Sequence, residues 1–102
     1  MSDLYTVNKS PFETNSLASC LKFSTAGAAI LLLEDGVYAA LQGTAVEETV
    51  KAALADKKVY ALGHDVKARG FNEDRVIDGI VLVDYEGFVD LVESTDKVQA
   101  WL

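Results

Sequence analysis

The sequence predicts an α/β fold, a three-layer domain with a mainly parallel sheet of about five strands and helices on both faces. Two observations carry this expectation. Short apolar runs alternate with helix-like stretches along the whole chain, as successive βαβ units require. The central runs Ala28–Leu33, Val59–Leu62 and Ile80–Val83 are apolar at every position, which suits strands buried on both faces.

Each element has its own signal. Leu4–Val7 reads as a first strand, ended by Asn8-Lys9-Ser10. Pro11 suits a first helical turn with Ser10 as its cap, and predicts a helix from Phe12 to Phe23. Ala28–Leu33 is the second strand, closed by the turn residues Glu34-Asp35-Gly36. One or two helical turns over Val37–Leu41 follow, then a break at Gly43. A helix over Ala45–Leu54 comes next, capped by Thr44, with Glu47 and Glu48 at its positive end.

Val59–Leu62 is a strand stopped by Gly63, and His64–Arg69 a short helix stopped by Gly70. Ile80–Val83 is the next strand. Asp84 caps a last helix reaching about Glu93, and Val98–Trp101 forms a final short strand. No repeat, linker or low-complexity segment interrupts the pattern, so residues 1–102 read as one domain.

Composition narrows the function. Half the residues are hydrophobic, enough for a core without disulfides or metals. The net charge is −7, and the nine basic residues are scattered, so the clustered Lys and Arg that grip phosphates are missing. Direct nucleic-acid binding and attachment to an anionic membrane are therefore not expected. The longest apolar run, Ala28–Leu33, falls far short of the ~20 residues of a membrane helix. Met1-Ser2-Asp3 does not open a signal peptide, and a single cysteine suits a reducing compartment; the expected location is the cytoplasm.

Several chemistries of this fold class lack their residues. Neither G-x-x-x-x-G-K-[ST] nor G-x-G-x-x-G follows the first strand. The hydroxyl-rich segment Ser10–Ser16 faintly suggests a flavin-phosphate loop, yet it contains no glycine, and Pro11 lacks an amide. Glu34 and Asp35 end one strand, but the first strand ends without an acid, so a magnesium-binding receiver site is disfavoured against a solvated turn. One His and one Cys cannot assemble a zinc site. His64 stands after a strand, where α/β domains place binding residues, but no nucleophile or acid partner precedes it; an exposed helix-start residue is the preferred reading.

Cys20 is the one residue equipped for covalent chemistry. It lies on the flank of the apolar stripe marked by Leu17 and Leu21. Periodicity favours a half-buried structural thiol over a reactive one. Its place in the last turns of the helix, at the negative dipole end, discourages ionisation. The aromatic residues Tyr85, Phe88 and Trp101 admit two readings, core packing and anchors at a subunit interface.

Five strings carry a resemblance. They are Thr6-Val7-Asn8-Lys9-Ser10-Pro11-Phe12, Leu31–Ala40 with its Glu34-Asp35-Gly36-Val37-Tyr38, Val59–Leu62 followed by Asp65 and Ala68-Arg69-Gly70, Val83–Leu91, and Val98-Gln99-Ala100-Trp101. In this order, from about Leu4 to Trp101, the chain resembles the DsrH/TusB family of sulfur-relay proteins, and more closely the DsrH type.

The resemblance implies a cytoplasmic heterohexamer with DsrE/TusD-like and DsrF/TusC-like paralogous chains. It implies passage of persulfide sulfur to a DsrC/TusE-like acceptor, without metal or organic cofactor. One branch of the family serves dissimilatory sulfur oxidation and the other 2-thiolation of the tRNA wobble uridine. The principal sulfur-carrying cysteine belongs to the DsrE/TusD-type chain. DsrH-type members carry a first-helix cysteine that matches Cys20, which tilts the expectation to the sulfur-oxidation branch. Cys20 is then a candidate relay thiol whose activation depends on assembly, and a non-catalytic assembly subunit is the alternative. In the relay a thiolate attacks the outer sulfur of a donor persulfide and the donor thiolate leaves.

Overall fold

The computed structural model describes residues 3–101. Five strands, β1 (Asp3–Val7), β2 (Ala29–Leu32), β3 (Lys58–Leu62), β4 (Val81–Val83) and β5 (Lys97–Trp101), form one sheet in the order β4-β3-β2-β1-β5. All four pairings are parallel. Helices α1 (Ser16–Phe23), α2 (Glu47–Ala53), α3 (Gly63–Ala68) and α4 (Tyr85–Ser94) make the connections. The expected α/β architecture is present, and the sheet is parallel throughout.

The order explains the layers. From β1 to β4 the chain steps one strand at a time in a single direction, so the right-handed crossovers all lie on one face. The last connection reverses, and β5 joins the other side of β1. Its helix therefore covers the opposite face. The main core gathers Tyr5, Val7, Ile30, Leu32, Val59 and Ala61 under Leu17, Val50 and Val66 of α1, α2 and α3. The second, smaller core holds Leu4, Ala29 and Leu31 against Phe88 and Leu91 of α4. β2 is buried at all four positions, as its unbroken apolar run requires, whereas the edge strand β5 is mostly exposed.

Three elements start two or more residues away from the sequence expectation. α1 begins at Ser16 rather than Phe12. Residues 10–14 instead form a turn in which the Ser10 carbonyl accepts from the amides of Glu13 and Thr14, both at 3.2 Å. Ser10 Oγ accepts from Phe12 N at 3.2 Å, and Thr14 Oγ1 from Ser16 N at 3.3 Å. Local hydroxyl bonds of this kind compete with helix formation. α2 likewise starts two residues late, at Glu47. Thr44 Oγ1 accepts from Val46 N at 3.3 Å, while Glu47 Oε1 reaches back to Gly43 N at 2.7 Å. Asp84 caps α4 as expected, accepting from Gly87 N at 2.7 Å. The helical turns expected at Val37–Leu41 are a 3₁₀ segment that already begins at Glu34 and ends at Ala40.

Candidate functional site

α1 brings Ser16, Leu17 and Cys20 onto its buried face. Cys20 has no exposed surface and belongs to the main core with Tyr5, Val7 and Ile30. Its burial goes further than the half-buried position read from the helix wheel. The flank on which it stands packs into the main core, and β5 runs alongside α1. Trp101 stacks on Phe23 with ring centres 6.3 Å apart, and meets Tyr5 edge-on at 5.9 Å.

Burial governs the thiol. Removal from water pushes the Cys20 pKa up to about 11, and the Lys57 ammonium only partly opposes this. At neutral pH the thiolate is then a fraction of order 10⁻⁴, against a few per cent for an unperturbed thiol. Lys22, beside it in sequence, lies instead 5.8 Å from the Phe23 ring centre.

The carboxyl edge of the sheet is organised by a latch that joins two of the strings singled out in the sequence. The buried Asp65, in the first turn of α3, accepts through Oδ2 from Glu34 N at 2.6 Å. Arg69 Nε and Nη2 both donate to Asp35 Oδ1, at 3.1 and 2.9 Å, and Arg69 Nη1 donates to the Asp65 carbonyl at 3.3 Å. Glu34 holds a left-handed backbone, φ 50°. Gly36 then crosses the end of β1 so closely that any Cβ there would strike the Val7 carbonyl. Glu34-Asp35 is thus a structural turn, and the spacing of Asp65 and Arg69, four apart at the first turn and C-cap of α3, is the only sequence signal of the latch.

His64 is exposed on α3, its ring 5.7 Å from that of Tyr85. The hollow beside it, about 440 Å³, includes Lys67, Glu73 and Asp84, with Lys67 and Glu73 3.7 Å apart. No cysteine lies there. A second hollow of about 370 Å³ is lined by Lys9, Thr14, Asn15, Ser16, Ser19 and Trp101, near the carboxyl ends of β1 and β5 where the strand order reverses. The Ser16 hydroxyl there is already engaged by Thr14 Oγ1 at 3.1 Å. Of the three aromatics with two readings, Phe88 packs against the smaller core and Trp101 against the main one, while Tyr85 is 57 % exposed.

The profile of the DsrH-like proteins matches residues 9–98. This chain belongs to the DsrH family. The resemblance read from the five strings is thereby established. The chain is 38 % identical to the TusB protein of Escherichia coli K12 over 98 residues, covering 96 % of this chain and 99 % of that one. The TusB protein of Escherichia coli O81 matches at the same identity and coverage.

Solved structures share the fold. The ychN protein of Escherichia coli superposes with a TM-score of 0.74 at 21 % identity, covering 98 % of this chain and 99 % of its own. A Methanobacterium thermoautotrophicum protein of unknown function, MTH1491, superposes with a TM-score of 0.77 at 11 % identity, covering 96 % and 97 %. Among the described residues of this DsrH-family chain, no helix is long and apolar enough to cross a membrane.

Proposed function

We propose that this chain is an assembly subunit of a cytoplasmic sulfur-relay complex, shaping the complex while a cysteine on a DsrE/TusD-like chain carries the persulfide. A DsrF/TusC-like chain completes the heterohexamer, and a DsrC/TusE-like protein accepts the sulfur. Family membership supports the sulfur-relay role, and TusB relatives across nearly the full length support the tRNA-thiolation branch. The observation that carries the assembly reading is the state of Cys20. Persulfide exchange needs a thiolate that can approach a donor sulfur. The only thiol of this chain is fully buried, and its pKa is pushed up to about 11.

The second reading keeps Cys20 as a relay thiol, with the sulfur-oxidation branch as its setting. A cysteine in the first helix favours it, and it requires assembly to expose the buried thiol. One experiment separates the two. The purified complex is incubated with a sulfane donor and each chain is weighed intact. The assembly reading expects added sulfur on a partner only, and unchanged transfer in Cys20→Ala. Sulfur added to this chain and absent from Cys20→Ala would sink it and leave the relay reading.

A further inference from the structure

α4 (Tyr85–Ser94) carries more apolar surface than the sheet beneath it uses. Phe88 and Leu91 face the smaller core. Tyr85, Val89 and Val92 do not, and they remain 57 %, 51 % and 37 % exposed. Their spacing is that of one helix face, within an arc of about 60°. A second arc of similar width lies beside this stripe and holds Glu86, Asp90 and Glu93.

All three acids are exposed, and none joins an ion pair among those formed by the described residues. Glu86 and Asp90 stand four apart, and Asp90 and Glu93 three apart, so their charges repel along the helix. Glu93 also lies in the last turn, where the helix dipole disfavours an acid, and no basic residue occurs there to offset it. The surface is thus an apolar ridge with an uncompensated negative border.

We propose that this face of α4 docks a different protein chain, one presenting an apolar groove bordered by lysine or arginine. Burial of Tyr85, Val89 and Val92 supplies the apolar contact, and the basic border relieves the repulsion among Glu86, Asp90 and Glu93. A second copy fits poorly, because an antiparallel pairing of two α4 ridges places both acidic borders on the same side. The chain's net charge of −7 adds to that repulsion.

The proposal rests on the sulfur-relay reading for the choice of probe, the co-purified pair of DsrE/TusD-like and DsrF/TusC-like chains from the same organism. Binding is measured for the wild type, for Val89→Glu/Val92→Glu and for Glu86→Lys/Asp90→Lys, with folding checked by circular dichroism and thermal melting. All four positions are exposed, so the variants are expected to fold. The valine variant should bind about tenfold or more weakly. The charge-reversed variant should associate more slowly and lose most of the salt dependence shown by the wild type.

Wild-type affinity in both variants would overturn this surface while leaving the sulfur-relay reading in place. Failure of the wild type to bind the pair would overturn both. A wild-type homodimer abolished by the valine substitutions would overturn the claim that the partner is a different chain.

Discussion

Raising the pH should destabilise this protein through Cys20 in a way that Cys20→Ala removes. In the unfolded chain the thiol has a pKa of ~8.5, whereas burial pushes the folded value up to about 11. Below the unfolded value both states hold the proton, and the stabilisation of the neutral thiol is fully present. Above it the unfolded chain ionises while the folded chain does not, so stability falls until the pH passes the folded value.

The loss runs at about 1.4 kcal/mol per pH unit and totals about 3 kcal/mol between pH ~8.5 and ~11. Removing the sulfur from a fully buried site costs about 1 kcal/mol by itself. The wild type should therefore be the more stable form at pH ~7.5. The two curves should cross near pH ~9.3, and the alanine variant should lead at pH ~10.5 by roughly 1–2 kcal/mol. Urea unfolding of both proteins, followed by circular dichroism at several pH values, reads this difference directly. Ionisations elsewhere in the chain are common to both proteins and largely cancel in the difference. A difference constant to within ~0.5 kcal/mol from pH ~7.5 to ~10.5 would refute the reasoning, because the folded thiol would then ionise like a solvated one.

Other substitutions test the latch and the caps. Gly36→Ala drives a methyl into the Val7 backbone, where no rotamer can yield, and should cost about 3 kcal/mol or prevent folding, as read by denaturant midpoint or soluble yield. Gly43→Ala, with open space but φ of 82°, should cost only about 1 kcal/mol in the same assay. Asp65→Ala leaves the Glu34 amide without its carboxylate and should cost about 2 kcal/mol, with Asp65→Asn recovering part of that because an acceptor remains. Asp84→Ala removes the α4 cap and should lower stability by about 1 kcal/mol, while amides in the first turn of α4 exchange faster with deuterium.

The two latch substitutions also show how far a linear reading reaches. Glu34-Asp35-Gly36 was legible as a turn, and His64–Arg69 as a short helix, since both are local patterns. That Asp65 closes on the Glu34 amide across 31 residues was not, because only the parallel register of β2 and β3 brings the two strand ends side by side. The late start of α1 shows the opposite limit. Ser10-Pro11 is a sound helix opening, but Ser10 spends its hydroxyl and carbonyl, and Thr14 its hydroxyl, on a turn first.

Sequence alone determined the alternation of strands and helices, the doubly buried β2, the Asp84 cap, the sole thiol and the family. These rest on period, composition and short strings, which are properties of neighbouring residues. Only the tertiary structure decided how deep Cys20 lies. Helix periodicity put it on a flank, and the packing of α1 into the core with Tyr5, Val7 and Ile30 of the sheet buries it fully. The tertiary structure also divided the apolar arc of α4, turning Phe88 and Leu91 inward and leaving Tyr85, Val89 and Val92 in water. One helix crossing the sheet can bury only the part of its surface that touches the strands, and no local pattern shows where that contact ends.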